Sequence, residues 1–151
     1  MRKLLLTVLC AALAGCATLG PGRFERSAER IVGLINSGQA AELAAVSRTP
    51  FLLDGELILL DADVAALWDG MAKAGFRIDE AASVTAVALD ADSYKRFAST
   101  MEVKTFFGKY VSGRGSIVEL EAGRSRILLL LDRGRGPGRA LIVGFKGPDA
   151  I

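Results

Sequence analysis

The 151-residue chain has no histidine and only two cysteines, Cys10 and Cys16. Without histidine, a Ser-His-Asp triad, a Cys-His pair and the usual histidine-bearing zinc sites are excluded. Long hydrophobic runs are also scarce. The longest, Leu4 to Ala14, covers eleven residues with Thr7 as its one clearly polar member. A helix crossing the roughly 30 Å of bilayer hydrocarbon needs about 20 apolar residues, so this run is too short to span. A buried core helix rarely opens on two cations and closes on Gly-Cys. Arg2 and Lys3, the short apolar run and the small residues behind it have instead the layout of a secretory signal.

A strong excess of charge of either sign is missing too. The formal net charge is +2, from 19 basic and 17 acidic residues. Once Arg2 and Lys3 leave with a signal segment, 17 basic residues stand against 17 acidic ones. A neutral domain has no general electrostatic reason to bind nucleic acid.

Leu13-Ala14-Gly15-Cys16 resembles the lipobox of bacterial lipoproteins, with leucine three positions before the cysteine and two small residues between. The resemblance implies that diacylglycerol is attached to the Cys16 thiol, that the chain is cut just before it, and that the new amine is acylated. Residues 1–15 are then a signal peptide, and residues 16–23 a lipidated cysteine with a short tether. Cys10 leaves with the signal and Cys16 becomes a thioether, so no free thiol or disulfide remains in an oxidising compartment. Each buried CH₂ contributes about 0.8 kcal/mol, so two or three acyl chains anchor stably. With Ala17 rather than aspartate after the cysteine, the same resemblance implies the outer membrane, with the domain facing the periplasm. The seven residues from Ala17 to Arg23 reach at most about 25 Å, and Gly20, Pro21 and Gly22 oppose a helix there.

From residue 24 to 151 the pattern reads as one α+β domain. Phe24, Ala28, Ile31, Val32 and Ile35 form a helical stripe, stopped by Asn36-Ser37-Gly38. A short helix over about 39–46 follows and breaks at Ser47-Arg48-Thr49-Pro50. Phe51-Leu52-Leu53 and Glu56-Leu57-Ile58-Leu59 flank Asp54-Gly55, a hairpin signal. Asp61 or Asp63 caps a third helix with the stripe Val64, Leu67, Trp68, Met71, ending at Gly75. Residues 83–89 alternate as a strand. Within 92–111, Val103, Phe106, Phe107, Tyr110 and Val111 fit a helix opened by a capping box at Ser99-Thr100-Met101-Glu102, with a strand as the competing assignment. Strands around 117–120, 127–131 and 140–145 close the chain. The unbroken apolar run from Ile127 to Leu131 calls for a strand covered on both faces.

This order predicts N-terminal helices packed on one face of a curved, mainly antiparallel sheet. Through "AERIVGLINSGQAAELAAVSRTPFLLDGELI", and loosely over 24–147, it resembles the cone-shaped nuclear transport factor and ketosteroid isomerase (SnoaL-like) superfamily. The segment near 92–111 departs from the simplest form, in which strands follow one another directly. The resemblance implies a pocket between sheet and helices. In an isomerase-like member it implies a proton-abstracting aspartate, for which Asp54 is the candidate. The oxyanion-binding tyrosine would fall near Ile31 and its partner acid within Ile127 to Leu131, where this chain has only aliphatic residues. A base without oxyanion donors lacks the term that usually matters most.

Asp54 is equally half of a solvent-facing Asp-Gly turn. Trp68, Met71 and Phe76 either line a pocket for an apolar ligand or belong to the plain core. Arg133, Arg135 and Arg139 are an anion-binding loop or a solvated hairpin tip, without the Gly-Lys-Ser/Thr of a phosphate loop. Glu119 and Glu121 alternate with Val118 and Leu120 as on a wet sheet face. No metal site or cofactor is expected. The partners expected are the membrane through the N-terminal lipid, and a small apolar ligand or another envelope protein. The leading expectation is thus a non-enzymatic envelope lipoprotein, and the rival a small isomerase or hydrolase using a buried carboxylate such as Asp54. Replacing Cys16 with Ala is expected to abolish incorporation of a labelled fatty acid and leave an uncleaved precursor, read by gel fluorescence and intact mass; unchanged labelling excludes this anchor.

Overall fold

The computed structural model describes residues 22–79, 83–134 and 140–150. Helix α1 (Gly22–Asn36) buries Ala28, Ile31, Leu34 and Ile35, on the stripe its apolar spacing dictates. It begins at Gly22, so Gly22 and Arg23 belong to the helix rather than to a tether. Gly38, at φ 67°, turns the chain out of the helix. There the Gln39 N–H donates to the Leu34 carbonyl (2.9 Å) and the Gly38 N–H to that of Ile35 (3.0 Å), the paired bonds of a Schellman ending. Helix α2 (Ala40–Ala45) buries Leu43, and helix α3 (Asp61–Lys73) buries Val64 and Trp68. Gly75 ends α3 by the same device, with Phe76 N–H on the Met71 carbonyl at 3.0 Å. The Asn36 amide donates to the Ile78 carbonyl and accepts from the Ile78 N–H, both at 2.8 Å. It ties the end of α1 to the chain leaving α3.

Six strands form one sheet: β1 (Ser47–Leu53), β2 (Glu56–Ile58), β3 (Ser83–Ala88), β4 (Ser116–Ala122), β5 (Ser125–Arg133) and β6 (Ala140–Ala150). Their order is β2-β1-β6-β5-β4-β3. Only β1 and β6 run parallel, and the other four pairs are antiparallel. The fold class is α+β, with four helices on a mixed, mainly antiparallel sheet, as expected.

Local structure corrects the sequence in several places. Residues 47–50, expected as a break, start β1. Pairing with β6 is interrupted between Ser47 and Leu52, so Pro50 sits where its missing N–H removes no ladder bond. Neither Asp61 nor Asp63 caps α3. The cap position is Leu60, without a side-chain bond, and Asp61 instead accepts from the Thr49 hydroxyl at 2.7 Å. The 92–111 segment is helical, as a 3-10 turn (Ser93–Arg96) and helix α4 (Met101–Tyr110). Its cap is Thr100, one residue beyond the expected Ser99, and Thr100 accepts from the Val103 N–H at 3.2 Å. The connection at 135–139 lies outside the described residues.

The larger departure concerns the second face of the sheet. Helices α1, α2 and α3 cover one side, over Ile127, Leu129 and Leu131 of β5. The 3-10 turn and α4 cover the other, where Leu128 and Leu130 meet Phe97, Val103 and Phe106. Successive side chains of a strand point to opposite faces, so a strand between two such layers has to be apolar throughout. Gly144 of β6 lies beside this strand. A Cβ there would stand 3.1 Å from the Leu52 carbonyl oxygen and 3.2 Å from the Leu130 Cβ.

Glu119, expected on a wet face, is half-buried under this second layer and pairs with Arg96. Lys146 of β6 donates to the Arg96 and Phe97 carbonyls at 3.0 and 3.2 Å, a cation at the C-terminal end of the 3-10 turn. Only Glu121 remains exposed, accepting from the Ser83 hydroxyl at 3.1 Å.

Double coverage has a measurable consequence. In denaturant melts of the full chain, Leu129→Ala and Leu130→Ala, each fully buried in the parent, are expected to cost about 2–5 kcal/mol apiece. A cost well under 1 kcal/mol for Leu130→Ala would show an open second face.

Candidate functional site

Cys16 lies outside the described residues. Asp54 is exposed, at the first position of the β1–β2 turn, with φ 53° and Gly55 at 125° behind it. Its N–H donates to the Phe145 carbonyl (3.0 Å) and its carboxylate accepts from the Gly147 N–H (2.8 Å). The side chain holds the hairpin against β6. Trp68 is 1% exposed and packs edge-on against Phe51 and Phe145, with ring centroids 6.0 Å away in each case. Its indole N–H donates to the Ser47 hydroxyl at 2.9 Å, which donates in turn to the Leu43 carbonyl. Phe76 packs on the far side of Phe145, and Met71 is half-buried against the same core. Trp68, Phe51, Phe145 and Phe76 thus form a chain of edge-on aromatic contacts, with Met71 and Phe76 at its half-buried margin.

Space opens instead along α1. A groove of about 430 Å³ runs between this helix, the end of α2 and the start of β6. Arg23, Arg26, Ser27 and Arg30 line it from α1, with Ile31 and Leu34 deeper on the same helix. Ala45, Val46, Ala140 and Leu141 form the opposite wall. The three arginines fall at i, i+3 and i+7, one side of a helix turning 100° per residue. Glu25 and Glu29 do not line the groove. Glu25 reaches the edge strand β3, where it accepts from the Ala86 N–H at 3.1 Å. The Ser27 hydroxyl donates to the Arg23 carbonyl at 3.0 Å, an ordinary helical back-bond with no base beside it. None of the three arginines forms a salt bridge among the described residues. Forked guanidinium donors over an apolar floor suit an anion that carries some hydrocarbon.

Sequence reasoning missed this groove. Its signal was present in Arg23, Arg26 and Arg30, interleaved with the apolar stripe of the same helix. Only the fold brings α2 and β6 against them. A second groove, of about 450 Å³, lies on the α4 side between Leu89, Tyr94, Phe107 and Val111, with the Lys104 ammonium 5.9 Å from the Tyr94 ring centre. Arg133 is half-buried, its N–H donating to Asp132 at 2.7 Å. Arg135 and Arg139 lie outside the described residues.

Among the described residues the one buried acid is Asp132, 1% exposed at the end of β5. It accepts from Arg48 (2.8 Å), from the Ser112 hydroxyl, and from the backbone N–H groups of Ser112 (3.2 Å) and Arg133 (2.7 Å). Burial alone would raise its pKa. The bonds from Ser112, Arg48 and the two backbone groups outweigh burial and hold the carboxyl below its ordinary value. Asp132 thus clamps Ser112, Arg48 and the end of β5 together. Arg48 also donates to the Tyr110 carbonyl at 2.8 Å, joining β1, β5 and the end of α4.

Among the described residues no group of three or more acidic, cysteine or histidine side chains could hold a metal ion. No described helix is long and apolar enough to cross a membrane. In comparisons with known proteins, no family model and no curated protein matches the chain.

Because the folded pKa of Asp132 is depressed, its contribution to stability is complete above the unfolded carboxyl pKa of about 4 and fades as pH falls through the folded value. At pH 7, Asp132→Asn is expected to destabilise the chain by about 2 kcal/mol. Urea melts across pH should show the gap between parent and variant narrowing below about pH 4. A gap independent of pH would remove the ionised clamp.

Proposed function

We propose that this chain is a lipid-anchored envelope protein, attached through Cys16 and held at the periplasmic face of the outer membrane. In this proposal its α+β domain acts by binding a small apolar ligand or another envelope protein, and not by catalysis. The observation that carries the reading is Leu13-Ala14-Gly15-Cys16 placed directly behind two cations and an eleven-residue apolar run.

The order of two helices, a hairpin, a third helix and then four strands supports the likeness to the nuclear transport factor and ketosteroid isomerase-like superfamily. The helical insertion before β4 remains its point of difference. An apolar-floored groove beside α1 supports a binding role. A catalytic role finds less support: Asp54 is a turn residue in solvent, Ser27 has no base, and Asp132 is locked in an ion pair.

Fractionation tests the proposal. Full-length protein made in a double-membraned bacterium is expected to sediment with outer-membrane vesicles and to stay there through a high-salt wash. After detergent extraction, its intact mass should equal residues 16–151 plus acyl groups. Recovery in the soluble periplasmic fraction with residues 1–15 still attached would overturn it.

A further inference from the structure

We propose that the groove beside α1 is a seat for the headgroup of an anionic phospholipid, so that the domain lies against the bilayer that carries its anchor. The inference rests on the anchor at Cys16 and adds an orientation and a lipid class to it. Two independent observations carry it.

The first is charge placement. Arg23, Arg26 and Arg30 share one side of α1 and line one groove, while Glu25 is engaged at β3. Three guanidinium groups offer a phosphodiester several forked, charge-assisted hydrogen bonds. Ile31 and Leu34 beneath them accept the apolar start of a lipid. The chain downstream of the lipobox is neutral, so this attraction is local to one face and not a property of the whole domain.

The second is chain length. Only Ala17 to Pro21 separate Cys16 from the first residue of α1, a span of at most about 21 Å. The potential of an anionic surface decays within a Debye length, about 8 Å at physiological salt. A long linker would dilute the arginines out of that layer. This short one lets the start of α1 reach that layer at a high effective concentration, and each basic residue at such a surface is then worth roughly a fivefold change in association.

The test uses the full acylated chain in vesicles of phosphatidylcholine alone, and in vesicles containing one-third phosphatidylglycerol. Arginines are modified with phenylglyoxal and read residue by residue by peptide mass spectrometry. Arg23, Arg26 and Arg30 are expected to react about fivefold more slowly on the anionic vesicles, while the exposed Arg114 and Arg124 react equally on both. Equal rates at the three groove arginines would overturn the proposal. Equal protection by free glycerol 3-phosphate on pure phosphatidylcholine would also overturn it, by making the groove a small-anion site. In the Arg26→Gln, Arg30→Gln double variant, with its circular dichroism unchanged, Arg23 should lose its protection; if protection persists, the contact lies elsewhere and the seat is overturned. Intact mass of the same sample reports acylation separately. Acylated chain with unprotected arginines therefore fails the seat alone, and unacylated chain with protected arginines fails the anchor alone.

Discussion

The structure depends on a requirement imposed by β5: five consecutive aliphatic residues, Ile127 to Leu131, have to leave water on both sides of one strand. A single helical layer can satisfy only every second one of them. Helices α1, α2 and α3 take Ile127, Leu129 and Leu131, and the 3-10 turn with α4 takes Leu128 and Leu130. Burying a leucine is worth roughly 1.5–3 kcal/mol, so an uncovered second face would forfeit a large part of a typical domain's net stability. The 93–110 segment interrupts an otherwise plain run of strands because it supplies the missing layer.

Polar contacts then hold that layer in position without entering the aliphatic core. Arg96 with Glu119, and Lys146 with the carbonyls of Arg96 and Phe97, fix its first turn to β4 and β6. Arg48, Asp132 and Ser112 fix the far end of α4 to β1 and β5. A buried carboxylate is tolerable where each lone pair finds a donor, and Asp132 meets four. Arg96, Glu119, Lys146, Arg48 and Asp132 thus serve to hold the α4 layer in place. On the α1 side, Trp68, Phe51, Phe76 and Phe145 close the interior in an aromatic layer. A groove opens at the margin, under the arginines of α1.

Much of this was legible residue by residue. The helical stripes, the Asp54-Gly55 turn, the glycine endings at Gly38 and Gly75, and the double burial of β5 all follow from local spacing and local stereochemistry. Legibility failed where a residue's role depends on a distant partner. Thr49 and Pro50 look like a breaker until β6 supplies an interrupted ladder beside them. Glu119 looks solvated until Arg96, far from it in sequence, folds over it. The aromatic partners of Trp68 and Phe76 cannot be read locally, because Phe145 arrives from the last strand. The groove arginines were on view as letters, yet a groove has two walls, and the second comes from Val46 and Leu141.

The sequence by itself determined the α+β class, the position of most elements, the neutrality of the domain and the motif on which the anchoring proposal stands, because each is encoded in composition or in contacts a few residues apart. Tertiary structure alone decided which helices cover each face of the sheet, which acids are paired and where the groove beside α1 opens. Those outcomes belong to side chains that meet only after strands from opposite ends of the chain, such as β1 and β6, lie side by side.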